Sequence, residues 1–152
     1  MSVGVGLSMN FSEPVKEFQG VLDRPENETI IQFLKQYQPS AHSDVVDLLV
    51  VSADQLEVEF YCPDTDNHAY YLAHTHQGVV CGAAIGLSAL MYRLPNQAIS
   101  GALTKGGEII KDIGDNWVSF NPFWPEQDKQ QAIKDMQHWC RLSCHYAQSF
   151  EK

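Results

Sequence analysis

The sequence predicts an α+β domain. An antiparallel sheet, made of a meander plus a hairpin, packs against a buried glycine-rich helix and a C-terminal amphipathic helix. Three stretches carry this expectation. "LEVEFY" alternates apolar and acidic residues and is followed by turn chemistry and "AYYLAH". The run from Gly78 to Tyr92 holds 15 residues without a charge. After Pro125, apolar residues recur at helical spacing to the neighbourhood of Phe150.

Taken in order, "SVGVGL" (within 1–9) suits a loose arm or an edge strand. "SEPVKEF" predicts a short helix, with Ser12 at its cap and Pro14 in its first turn. "DRPENETIIQFLKQYQP" predicts a firmer one. Asp23 and Glu26 have capping-box spacing, Ile30, Phe33, Leu34 and Tyr37 share a face, and Pro39 ends it. "VVDLLVVS" is rich in β-branched residues, which favours a buried strand, but its length also admits a helix, so 45–51 stay undecided. In "LEVEFY", Leu56, Val58 and Phe60 point one way and Glu57 and Glu59 the other, as a half-buried strand requires. "CPDTDNH" is turn chemistry, and "AYYLAH" is the returning strand.

The uncharged run then reads as a helix from Gly78 to Leu94, stopped by Pro95. It is too short for the roughly 20 residues that span a bilayer. Gly78, Gly82 and Gly86 fall at i, i+4 and i+8, a face on which a sheet could approach closely. "NQAISGAL" predicts a short helix, and "EIIKDI-GDN-WVSFN" a hairpin. The stripe of the last helix is Ile133, Met136, Cys140, Cys144 and Ala147, widened by Trp139, Tyr146 and Phe150.

The totals exclude some functions. A chain of 152 residues suits one domain over 1–152 and buries roughly 70% of its unfolded surface without metal or disulfide support. Ten basic residues against 19 acidic ones leave a net charge of −9. No cluster of Lys and Arg is present to neutralise phosphates, so nucleic-acid binding is not expected. Residues 1–9 lack the pattern of a secretory signal, so a cytoplasmic protein with reduced thiols, not bound to a membrane, is expected.

Two constellations invite chemistry. His74 and His76 project from one face of a strand, a workable metal-ligand spacing, with Cys81 as a third ligand or as a nucleophile using either histidine as base. The acidic turn at 64–68 lies about 17 Å away along the hairpin, so no carboxylate completes a zinc site. Cys81 sits in the most apolar part of the chain, where a thiol serves as a small hydrophobe. Cys140 and Cys144 fall on the helix stripe and His138 and His145 on the opposite face, so they do not share an ion. No cofactor is expected.

The second constellation is "WVSFNPFWPE". Trp117, Phe123 and Trp124 are the candidate binding residues, aromatics of the kind that anchor interfaces and line pockets. Strand alternation puts Val118 and Phe120 in the core and leaves Trp117 partly exposed. These features favour a small acidic, non-catalytic binding or accessory module of immunity type. Its partner is expected to be a protein, a small apolar ligand or a second copy of the chain. The alternative is a small hydrolase using the His/Cys site, with or without zinc.

Overall fold

The computed structural model describes residues 24–36, 41–61, 70–74, 78–123 and 128–150. Within these residues, six strands form one antiparallel sheet in the order β1-β2-β3-β4-β6-β5. They are β1 (Val58–Tyr61), β2 (Tyr70–His74), β3 (Val80–Ile85), β4 (Ala89–Arg93), β5 (Glu108–Ile109) and β6 (Trp117–Phe120). Among the described residues, four helices accompany them: α1 (Glu28–Gln36), α2 (Ser43–Ser52), α3 (Asn96–Thr104) and α4 (Lys129–Gln148). A 3-10 turn, Pro25–Asn27, leads into α1. The α+β class, the β1–β2 meander, the β5–β6 hairpin and the C-terminal helix are those the sequence predicts.

The glycine-rich helix is not there. Residues 80–93 form the two central strands, β3 and β4, paired from Gly82–Tyr92 to Ile85–Ala89. Gly86 opens the three-residue turn between them at φ +61°, a left-handed conformation that no α-helix contains. Leu87, at the tip of this turn, is 76% exposed. Alternation was invisible because both faces of these strands are covered, and such strands read as continuous apolar runs. Conversely, 43–52 is a helix, with the His42 Nδ1 accepting from the Asp44 N–H at 3.0 Å to cap it.

On one face, Cys81, Ala84, Leu90, Tyr92, Val118 and Phe120 meet Val45, Leu48 and Leu49 of α2 and Met136, Trp139, Cys140 and Cys144 of α4. On the other, Val80, Ala83, Ile85, Met91 and Trp117 meet Ile30 and Leu34 of α1. The register of β3 against β2 slips between Leu72 and Ala73, which pair with Gly82 and Val80. Cys81 is thus the extra residue of a β-bulge. The bulge explains why Cys81 faces α4 although Ala83, two residues on, faces α1. The Ser143 hydroxyl of α4 donates to the Cys81 carbonyl at this irregular point. Across the sheet, the buried Asn27 side chain behaves like a strand peptide. Its Nδ2 donates to the Gly78 carbonyl at 2.7 Å and its Oδ1 accepts from the Val80 N–H at 2.8 Å.

The predicted helix over "SEPVKEF", the arm at 1–9, Asp23, Tyr37, Pro39 and the "CPDTDNH" turn lie outside the described residues. Glu26, the other residue of the capping-box spacing, is described. Its carboxylate takes the Arg24 Nε at 3.1 Å, which holds it below the usual carboxylate range.

Candidate functional site

Cys81 is wholly buried, and so is its sulfur chemistry. Its Sγ lies 3.9 Å from that of Cys144. The bond with Cys144 and burial push the Cys81 thiol well above its ordinary range. Cys144 is raised too, by its bond with Cys140 and by burial. Thiols held protonated in an apolar core are poor nucleophiles, because the thiolate is the reactive form. Cys81, Cys140 and Cys144 are free thiols in the structure. His74 ends β2, its backbone paired with Val58, and His76 lies outside the described residues. Among the described residues, no group of three or more His, Cys, Asp or Glu side chains is placed to hold a metal ion.

The aromatic segment divides. Val118 and Phe120 are core, as alternation predicts, and Phe120 stacks on Trp139 at 5.2 Å. Trp117 differs from the expectation of partial exposure: it is only 3% exposed. The face it shares with Ser119 is also roofed, by α1 and by Arg93, whose guanidinium carbon lies 5.1 Å from the Trp117 ring centroid. Arg93 is itself 7% exposed and donates to the Glu26 carbonyl at 3.0 Å. Burial pulls its guanidinium down to about 10, still charged at neutral pH. Trp124 lies outside the described residues.

Phe123 behaves as a surface aromatic, at 41% exposure. The Asn121 side chain ends β6 by accepting the Phe123 N–H at 3.0 Å, an Asx turn. Pro122 and Phe123 then close one end of a groove of about 500 Å³ between α2 and α4. Its apolar lining is Leu48 and Val51 of α2, Ala132 and Ile133 of α4, Pro122 and Phe123. Asp44 and Asp47 stand on the α2 rim and Lys129 on the α4 rim, all exposed. Trp117 belongs to the opposite face of the sheet, so Phe123 and Trp117 do not converge.

A second hollow, about 410 Å³, lies on the other side of Pro122, where Lys105, Asn121, Asp135, His138 and Trp139 line it. Asp135 is held there by the Gln131 amide at 2.9 Å. The α2–α4 groove was not legible in the sequence. Its α2 wall lay in the segment of undecided structure, and only Phe123 hinted at it.

Known proteins do not assign either hollow. No family model matches the chain, and no curated protein or solved structure matches it at a significant level. Among the described residues, no helix is long and apolar enough to cross a membrane.

Proposed function

We propose that this protein is a non-catalytic binding module whose ligand site is the α2–α4 groove. The observation that carries the reading is the groove itself: an apolar floor on two rigid helices, one exposed aromatic at its end and charges only at its rim. Its size lies within the roughly 300–1,000 Å³ of ordinary ligand clefts, and its make-up, mostly apolar with a few placed polar groups, matches theirs. Phe123 is large, half-exposed and oriented by an Asx turn, as an anchor residue needs to be. The buried, protonated Cys81 speaks against the hydrolase alternative. Three free buried thiols support a reducing, cytoplasmic setting.

A fragment screen read by ¹⁵N–¹H NMR tests the site. Apolar and amphiphilic fragments are expected to shift amides of 44–51, 122–123 and 129–133, and Ile133→Asp is expected to abolish those shifts while the remaining spectrum keeps its dispersion. Hits spread evenly over the surface, or confined to the hollow beside Trp139, would overturn the assignment.

A further inference from the structure

We propose that the occupant of the α2–α4 groove is a basic amphipathic helical segment of a partner protein. Its apolar side chains lie on the groove floor, and its lysines or arginines lie against Asp44 and Asp47. This rests on the groove being the binding site, and it adds the class of ligand.

Shape is the first argument. The α2 wall is built from Asp44, Asp47, Leu48 and Val51, at i, i+3, i+4 and i+7. That is one face over two turns, about 10 Å of helix length. The α4 wall repeats the pattern with Lys129, Ala132 and Ile133, at i, i+3 and i+4. A trough between two helices with this spacing receives the ridge of a third, whose apolar residues recur at the same intervals. Ala132, the smallest side chain in the lining, gives the ridge room to approach.

Charge is the second argument. Asp44 and Asp47 follow one another on the same rim, and among the described residues the only base in the lining is Lys129 on the other. The chain carries 19 acidic residues against 10 basic, so the wider field has the same sign as the α2 rim. Such a rim attracts a cation and repels an acidic segment, which makes it a specificity device as well as a contact. Lys129 makes the demand asymmetric. The partner's basic residues belong on the side of its helix that meets α2, and neutral or acidic residues on the side that meets α4.

The test uses the full chain and three synthetic helical peptides. All three carry leucines at i, i+4 and i+7, and the flanking positions next to α2 are lysine, glutamine or glutamate. Binding is measured by calorimetry and by amide shifts. The lysine peptide is expected to shift the groove amides and to bind at least about tenfold more tightly than the glutamine peptide, with the glutamate peptide weakest. That preference is expected to shrink towards nothing in about 1 M salt. Asp44→Asn with Asp47→Asn is expected to remove the preference, so that the lysine and glutamine peptides bind with similar affinity. Asp47→Asn alone should halve the preference on a free-energy scale if the double variant does not fold. Equal or tighter binding of the glutamine or glutamate peptide overturns the proposal. So does absence of binding by all three, or a groove filled by a second copy, seen as a dimer mass in solution that Phe123→Asp converts to a monomer. Groove shifts from fragments without peptide binding would sink the peptide and keep the site; loss of both would sink the site.

Discussion

Asn27 and Gly107 show how single residues hold this fold. Asn27 satisfies the Gly78 carbonyl and the Val80 N–H where β3 begins, in a wholly buried position. Asn27→Ala leaves two buried backbone groups without that partner. It is expected to cost about 2–4 kcal/mol in urea unfolding, and a loss within error of zero would mean that water replaces the amide. Gly107 stands against β6: a Cβ there would lie 2.5 Å from Val118 Cγ1 and 3.0 Å from the Ala102 carbonyl oxygen. Gly107→Ala is expected to destabilise by about 1–3 kcal/mol, because the obstructing atoms belong to a β-branched side chain and to backbone. An unchanged melting temperature would show that α3 can slide away from the sheet.

At the scale of elements, the β3–β4 hairpin gives a prediction of its own. In the observed turn, at φ +61°, Gly86→Ala is expected to destabilise by about 1–2 kcal/mol, because a Cβ is strained in the left-handed region. Thermal melting checks it, and an unchanged or raised melting temperature would count against a left-handed residue at this turn. The bulge at Cys81 ties the hairpin to α4 through the Ser143 hydroxyl. Ser143→Ala is expected to cost about 1–2 kcal/mol, since it strips a donor from a carbonyl at an irregular point of the ladder. If stability did not change, the Cys81 carbonyl would have found another donor.

For the whole molecule, the buried titratable groups set an alkaline limit. The Cys81 and Cys144 thiols are raised above an ordinary 9.0, and burial raises the Tyr92 phenol above 10.0. Each stays protonated in the fold but ionises in the unfolded chain. Their contribution is therefore complete below about pH 9 and is lost progressively as pH rises beyond it. Arg93 has the opposite sign. Its guanidinium, lowered to about 10, weighs on the fold at a constant level below that pH and is relieved only above it. The urea midpoint is thus expected to hold level from about pH 7 to 9 and to fall between about pH 9 and 10, before Arg93 can compensate. A midpoint that stays flat through pH 10 would show that the three groups ionise in place.

What the sequence determined by itself is the part of the fold written in local periodicity. β1 alternates because one of its faces is acidic, and α4 shows its stripe because Met136, Cys140, Cys144 and Ala147 pack while Lys134, His138 and His145 meet water. Tertiary structure alone decided the centre of the sheet and the groove. Residues 80–85 and 89–92 carry no charge on either side of the sheet because α1 covers one face and α2 and α4 the other. Uniform burial erases the period that distinguishes a strand from a helix. Trp117 is buried for the same reason: alternation says which way a side chain points, and only packing says what waits there. The groove exists because α2, of undecided structure in the sequence, lies beside α4, whose first lining residue, Lys129, is 85 positions from Asp44 in the chain. No local pattern specifies contacts at that separation, because they are selected by the burial of the whole core.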